Sequence, residues 1–141
     1  YQSFWTQEHY DVIIEPLVKQ ITNYHTLLSH DQYHAYILQL YIPCLISLAK
    51  NMPSPDHWKL LHTSIISYVQ DSEVLVRQYA ITTIVELFSS CGHDYLSLLP
   101  QTIPYLAEAM EDENDQVQYA CQQLIEIIET LSGEDIQEYL S

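Results

Sequence analysis

Glycine and basic residues are scarce in this chain of 141 residues, and both shortages exclude classes of function. With only two glycines, the chain cannot build the glycine-rich loops that bind phosphates or dinucleotides. Four Lys and Arg residues stand against nineteen Asp and Glu residues, which gives a formal net charge of −15. This charge repels nucleic-acid phosphates and favours basic protein partners. We therefore expect little or no direct nucleic-acid binding by this segment.

Paired cysteines and long apolar runs are also missing. Cys44, Cys91 and Cys121 lie far apart without a CxxC pair, so we interpret them as reduced core residues of an intracellular protein. No stretch reaches the roughly eighteen uninterrupted apolar residues of a membrane span, and no signal-peptide pattern is visible. We expect no membrane partner. The first residue is Tyr rather than Met, which suggests a fragment of a longer chain.

One helical pattern occurs twice in the sequence. In residues 71–88, apolar residues recur at spacings of four, four and three, which lines one face of a helix, and Ser72 is the expected N-cap. The pattern returns forty-one residues later, where the counterparts of Asp71, Val76, Ala80, Ile84 and Leu87 are Asp112, Val117, Cys121, Ile125 and Ile128. A period near forty, with two helices per unit, is typical of HEAT or armadillo arrays.

The sequence therefore predicts an all-α fold, a HEAT-like α-solenoid of about three antiparallel helix pairs in one module. The pairs and a short C-terminal cap are expected at residues 9–50, 54–90, 94–132 and 134–140. Asp31, Ser54 and Asn114 are the expected N-caps of later helices. Pro16 and Pro43 are expected to bend theirs, because proline removes one intrahelical hydrogen bond.

Apolar positions also predict which residues pack inside. The buried side of the second helix is expected to consist of Ile37, Leu38, Tyr41, Ile42, Leu45 and Leu48. At the C-terminal end, the residues expected to fold back over the core are Ile136, Tyr139 and Leu140. The twelve tyrosines are interpreted as core and groove fillers, because stacking platforms for bases carry flanking Lys or Arg residues.

Arg77 is the only arginine and stands where HEAT helices usually place a base that links successive repeats. We expect it to form a salt bridge with Asp71 or Asp112, which makes these three residues a predicted structural ladder. Gln118 occupies the position in the next unit where HEAT repeats generally favour Arg.

The turn at residues 108–115 carries five carboxylates and no base. One interpretation is a solvated turn whose acids favour the positive end of the following helix. The other is a docking edge for a basic protein segment, and its candidate residues are Glu111, Asp112, Glu113 and Asp115. The sequence leaves both interpretations open.

No catalytic, cofactor-binding or metal site is predicted. His30 and His34 are four residues apart, as in a helical metal site, but no third ligand is placed nearby by the sequence. His57 and His62 form a weaker pattern still. The many carboxylates flank no candidate nucleophile and form no recognised motif. We therefore expect a protein that is not an enzyme.

Several stretches resemble a known family. LLPQTIPYLAEAMEDE at residues 98–113 and GEDIQEYL at 133–140 are similar to the C-terminal end of a large nucleolar HEAT-repeat protein of the small-subunit processome. This family is called HEAT repeat-containing protein one in animals and U three snoRNA-associated protein ten in fungi. HWKLLH at 57–62, the segment at 71–77 and YIPCLI at 41–46 match in kind and order, so the resemblance covers essentially the whole chain.

The resemblance implies a scaffold in the nucleus and nucleolus. The family belongs to the early-assembling subcomplex that binds nascent pre-ribosomal RNA and recruits the U three snoRNP. It supports pre-rRNA processing, small-subunit rRNA maturation and rDNA transcription, and it has no known catalytic residues. The implied partners are protein subunits of that subcomplex and the U three snoRNP. Two alternatives remain: a generic HEAT adaptor that binds basic or amphipathic protein segments, and an unfamiliar enzyme with a deep pocket of convergent ionisable groups.

Overall fold

A computed structural model describes residues 7–23, 29–52 and 55–140, and these ranges contain helices and turns but no strand. The helices are α1 Gln7–Asn23, α2 His30–Tyr36, α3 Ile42–Asn51, α4 Trp58–Ile66, α5 Val74–Cys91, α6 Leu99–Ala109, α7 Asp115–Ser132 and α8 Gln137–Leu140. A π turn at Ile37–Tyr41 joins α2 to α3, and 3-10 turns occupy Pro55–His57, Ser67–Gln70 and Gly92–Leu98. Residues 24–28 and 53–54, which include the predicted Ser54 cap and the end of the first predicted helix, lie outside the described residues.

The helices pack in two layers. Helix α4 contacts α1 and α6 in the first layer, and α5 contacts α3 and α7 in the second. Each repeat contributes one helix to each layer, and the short helix α8 packs on α6. This arrangement confirms the predicted all-α solenoid of three antiparallel helix pairs with a short C-terminal cap.

The seam between α5 and α7 is the centre of the core. Its predicted residues are all at most 2% exposed, namely Val76, Ala80, Ile84, Val117, Cys121 and Ile125. Ala80 allows close approach of the neighbouring helix, because small residues bring helix axes together. Burial raises the pKa of the Cys121 thiol to about 12, so this cysteine stays protonated and behaves as a core residue. Cys91 is partly buried, whereas Cys44 is exposed, so the prediction that Cys44 is a core residue is wrong.

The second helix of the first repeat contains a π turn immediately before Pro43. Proline has no amide hydrogen, and its ring would clash with the carbonyl four residues earlier in a regular α-helix. The π turn inserts one residue there, and the amide of Ile42 donates to the carbonyl of Ile37. The sequence predicted a bend at Pro43, and the structure accommodates the proline by this local widening.

The inserted residue changes which side chains of this helix face the core. Tyr33, Ile37, Tyr41 and Leu45 are buried, whereas Leu38 is 41% exposed. The prediction that Leu38 is buried is therefore wrong, because it assumed a regular α-helical period across the π turn.

Aromatic side chains from one helix satisfy carbonyls near the end of another. The Tyr33 hydroxyl donates to the Ile21 carbonyl at 2.6 Å, in the last turn of α1. Trp58 Nε1 donates to the Ala49 carbonyl at 2.9 Å, near the end of α3. The last four carbonyls of a helix lack the regular intrahelical donor, so such bonds supply partners at a helix end. The Ala49 carbonyl also accepts the Met52 amide at 3.3 Å. They also join consecutive segments of the chain.

Two of the predicted helix starts are wrong. The N-cap of α2 is Ser29 rather than Asp31, because Ser29 and Gln32 form a reciprocal capping box. The N-cap position of α5 is Glu73 rather than Ser72. The Asp71 carboxylate accepts the Glu73 amide, and the helix begins after this turn, at Val74. Asn114 caps α7 as predicted, accepting the amides of residues 116 and 117.

Candidate functional site: the acidic inter-repeat edge

The turns before α5 and α7 have the same hydrogen-bond pattern. Asp71 Oδ2 accepts the Glu73 amide at 3.0 Å, and forty-one residues later Asp112 Oδ1 accepts the Asn114 amide at 2.9 Å. Such a bond from an Asp side chain to the amide two residues ahead is a common way to hold a turn. The sequence repeat therefore extends to the backbone geometry of the turns.

Arg77 links these two turns. Its Nε donates to Asp112 Oδ2 at 2.8 Å, and its Nη1 donates to the carbonyls of Asp71 at 3.0 Å and Ser72 at 3.2 Å. The Arg77 side chain is 23% exposed and the Asp112 side chain 13%. The three ladder residues therefore meet, with Asp112 contributing its carboxylate and Asp71 its carbonyl.

Gln118 takes part of this role in the next unit. Its Nε2 donates to the Asp112 carbonyl at 2.5 Å, just as Arg77 donates to the Asp71 carbonyl one repeat earlier. A neutral amide reaches the carbonyl but supplies no charge for a carboxylate of a following turn. Arg77 therefore forms an ion pair, and its counterpart Gln118 does not.

A small cleft of about 190 Å³ lies beside the Arg77–Asp112 pair. Gln70 Nε2 donates to Glu108 Oε2 at 2.9 Å across the same junction. The cleft is lined by Val69, Gln70, Asp71, Arg77, Tyr105, Glu108, Ala109 and Asp112. Sequence reasoning missed the contribution of Gln70 and Tyr105, because neither forms part of a charge run or a repeat motif.

The predicted acidic edge separates into two kinds of residue. Glu111, Glu113 and Asp115 are exposed to solvent. Asp112 is mostly covered, and its two carboxylate oxygens contact Arg77 and the Asn114 amide. Asp112 therefore stabilises the turn from inside. We call the surface formed by the three exposed acids, Glu111, Glu113 and Asp115, the acidic edge.

His62 is fully buried and belongs to a polar cluster between the layers. Its Nε2 lies 2.8 Å from Thr102 Oγ1 and its Nδ1 lies 2.9 Å from the Tyr95 hydroxyl. Thr102 already donates its only hydroxyl proton to the Leu98 carbonyl, so His62 Nε2 donates to Thr102 and Nδ1 accepts from Tyr95. Burial lowers the pKa of His62 to about 4, and the ring is neutral at physiological pH.

The other histidines form no metal site in the described parts of the chain. His34 Nδ1 contacts the Tyr79 hydroxyl, and His30 lies 3.9 Å from Asp31. No group of three or more potential metal ligands occurs among the described residues. In the weaker pattern of His57 and His62, both ring nitrogens of His62 are engaged by Tyr95 and Thr102.

A wider groove of about 510 Å³ separates α1 from α4. It is lined by Glu15, Pro16, Val18, Lys19, Ser64, Ser67 and Tyr68. Burial and the nearby acids Asp71 and Glu15 raise the pKa of Tyr68, which therefore stays neutral. The ionisable side chains of its lining are those of Glu15, Lys19 and Tyr68. Among the described residues, no helix is long and apolar enough to cross a membrane.

The two-layer stack, its forty-one-residue repeat and the Arg77 link between turns define an α-solenoid of HEAT repeats. No family model matches the sequence. The chain is 36% identical over 138 residues to HEAT repeat-containing protein 1 of Danio rerio and 34% identical to that of Homo sapiens. It is 33% identical over 102 residues to the U3 small nucleolar RNA-associated protein 10 of Schizosaccharomyces pombe.

The chain belongs to the family formed by HEAT repeat-containing protein 1 and U3 small nucleolar RNA-associated protein 10. The two vertebrate matches cover 98% of this chain and 6% of the relative, so the chain spans a small part of the length of these proteins. The fungal match covers 71% of this chain and 6% of the relative.

Proposed function

We propose that the chain is a non-catalytic scaffold module of a nucleolar ribosome-biogenesis factor that supports pre-rRNA processing and small-subunit rRNA maturation. The observation that carries this proposal is its similarity, over most of its length, to proteins named for association with U3 small nucleolar RNA. A role in rDNA transcription belongs to the same proposal. The module works in the nucleus and nucleolus, where it holds protein subunits of the early-assembling subcomplex and the U3 snoRNP.

The acidic edge is the proposed contact surface for a basic protein segment. Glu111, Glu113 and Asp115 project from a turn that Arg77 and Asp112 hold in place. Residues 108–141 contain ten acids and no Lys or Arg, so no base within this stretch neutralises the edge. A surface of one sign steers an oppositely charged partner and sets its orientation. Because the turn is already fixed, less conformational entropy is lost when a partner binds.

The test reverses the charge of Glu111, Glu113 and Asp115 to Lys in the full-length protein and leaves Asp112 intact. Exposed charge contacts contribute roughly 0.2–1 kcal/mol each, so we expect incorporation into the U3-containing particle to weaken about tenfold. Unprocessed pre-rRNA should then accumulate. The measurements are co-purification of U3 snoRNA and hybridisation of pre-rRNA intermediates.

The matched control reverses Asp94, Glu126 and Glu134. These acids are also exposed, and their reversal changes the net charge by the same amount. We expect this control to assemble normally. Equal assembly and rRNA maturation for both triple variants would show that the acidic edge is only a solvated turn. If the unaltered protein co-purified with transport or signalling proteins and without U3 snoRNA, the generic HEAT adaptor would replace the nucleolar scaffold.

A further inference from the structure

Ser132 is the last residue of α7, and the chain leaves the helix directly after it. Residues 133–136 are irregular and join α7 to the short helix α8. Ser132 is partly exposed, and the next three residues, Gly133, Glu134 and Asp135, are exposed. Ser132 therefore lies at the surface, at the start of a short non-helical segment.

The Ser132 hydroxyl is held only by long hydrogen bonds. Its Oγ accepts the Glu134 amide at 3.2 Å and donates to the Glu134 carbonyl at 3.4 Å. Hydroxyl groups usually donate over about 2.7–2.8 Å. By contrast, the Thr130 hydroxyl donates to the Glu126 carbonyl at 2.8 Å, inside the last turns of the helix. The Ser132 oxygen is the more weakly engaged of the two and is more readily available as a nucleophile.

Carboxylates follow Ser132 at both the second and the third position. No other serine or threonine of this sequence has an acid at both of these positions. Because Glu134 and Asp135 are exposed, a basic groove on an enzyme can pair with both. Residues 78–141 contain no Lys or Arg, which excludes an enzyme that requires bases beside its target. The pattern fits a protein kinase with a basic substrate groove.

We propose that Ser132 is a phosphorylation site for a protein serine kinase that selects acidic segments, and that its phosphorylation releases α8 from α6. In the transfer, Ser132 Oγ attacks the γ-phosphorus of ATP, and the bond from that phosphorus to the β,γ-bridging oxygen breaks. ADP leaves with the electron pair, and a carboxylate of the kinase takes the hydroxyl proton. This inference is independent of the proposed function.

The charges around Ser132 explain why phosphorylation would release the cap. A phosphate adds about 1.5–2 negative charges at neutral pH, here at the negative end of the α7 dipole. Glu129 Oε2 accepts the Ile136 amide at 3.0 Å, and Glu134 and Asp135 lie in the same turn. Helices α6, α7 and α8 contain no Lys or Arg that could pair with the phosphate. Like charges therefore repel one another across the turn that holds Ile136 against the core.

The first test treats the purified chain with an acidophilic serine kinase, ATP and Mg²⁺, and locates the phosphate by mass spectrometry. We expect phosphate on Ser132 and none on Thr130, which is exposed but is not followed by acids. Asp135→Asn keeps the oxygen that accepts the Gln137 amide, but it should slow the transfer about tenfold through the lost charge. No phosphate on Ser132, or equal transfer to Thr130, would overturn the assignment.

The second test measures release of the cap by amide hydrogen exchange, followed by NMR, before and after phosphorylation. The Ile136 amide should exchange about tenfold faster in the phosphorylated chain, because charge repulsion favours local opening of the cap. The Cys121 amide, in the middle of α7, is the internal reference and should not change. Ser132→Ala, treated in the same way, should keep slow exchange at Ile136. Phosphate on Ser132 with unchanged exchange at Ile136 would contradict the release of α8.

Discussion

At the scale of single residues, Arg77 holds two successive turns together through one ion pair and two carbonyl contacts. Arg77→Ala removes all three, so we expect a loss of about 2–3 kcal/mol in the free energy of unfolding, between the values for exposed and buried pairs. Arg77→Gln can keep a carbonyl contact, as Gln118 does in the next unit, and should lose only about 1 kcal/mol.

Urea unfolding of both variants measures this difference. The single variant Asp112→Ala and the double variant Arg77→Ala/Asp112→Ala complete a thermodynamic cycle that isolates the coupling between the two side chains. Equal losses for Arg77→Ala and Arg77→Gln would mean that the carbonyl contacts contribute nothing, and that Gln118 is not an energetic substitute for arginine.

His62 makes stability depend on pH in the acidic range. Burial lowers its pKa in the folded chain from the ordinary 6.5 to about 4, so only the unfolded chain gains a proton on His62 between these values. The free energy of unfolding therefore falls as the pH decreases from 6.5 to 4, by on the order of 3 kcal/mol. His62→Gln should reduce stability at neutral pH and lack this contribution to the pH profile.

Unfolding by urea at several pH values measures the difference between the two profiles. His93→Gln, at an exposed histidine, is the control and should follow the unaltered protein. Apart from the substituted histidine, the ionisable residues are the same in all three proteins, so a difference between the profiles reports on that histidine. Parallel profiles for His62→Gln and the unaltered chain would contradict a neutral buried His62.

At the scale of elements, α8 and the residue before it close one end of the first layer. Ile136 is 2% exposed, and its amide donates to Glu129 Oε2 at 3.0 Å. Tyr139 is 59% exposed, so the expectation that it shields the core is wrong. We expect Ile136→Ala to lower the free energy of unfolding by about 2–4 kcal/mol. Tyr139→Ala should change it by less than about 0.5 kcal/mol.

Thermal and urea unfolding of these two variants measure the effect, and Tyr139→Ala is the control for a change in the same segment. Similar losses for both variants would mean that the segment contributes as a whole and not through the Ile136 side chain. No loss for either would mean that the core is complete without the cap.

The elements also show which features a sequence pattern can predict. The seam of α5 and α7 was predictable, because both helices keep the α-helical spacing and the same residues recur after forty-one positions. The buried face of the helix with Pro43 was predicted less well. Its π turn rotates the residues before Pro43 relative to a regular α-helix, and Leu38 is exposed as a result. The start of α2 was missed because Ser29 and Asp31 are both good caps, and only the bond to Gln32 decides between them.

The candidate site was predictable only in part, for a different reason. The charge run at residues 108–115 indicated the acidic edge directly. The separation of Asp112 from its exposed neighbours depends on Arg77, which is thirty-five residues away and reaches it only in the folded stack. The buried cluster around His62 likewise joins three elements, and no local pattern indicates it.

At the scale of the whole molecule, charge governs which partners can approach. Lys19, Lys50 and Lys59 are exposed but dispersed, and Arg77 is engaged with Asp112. Nineteen acids outweigh them. We therefore expect the isolated chain to show no appreciable affinity for a small-subunit pre-rRNA fragment at physiological salt, because phosphate binding needs several clustered bases.

Filter binding at several salt concentrations tests this expectation. A sub-micromolar affinity that weakens steeply with salt would contradict it, since that slope counts the phosphates neutralised by the protein. If the expectation is correct, any contact of a longer family member with RNA must come from other parts of that protein.

The joint between the second and third repeats has a mechanical consequence. Two of its side-chain bridges, Arg77 to Asp112 and Gln70 to Glu108, lie on one edge of the stack, beside the same cleft. The contacts of His62 with Tyr95 and Thr102 cross the same joint in the buried interior. A load that bends the array towards this edge puts neither bridge under tension, whereas a load that bends it away opens the edge and stretches both. The joint should therefore bend more easily towards this edge than away from it.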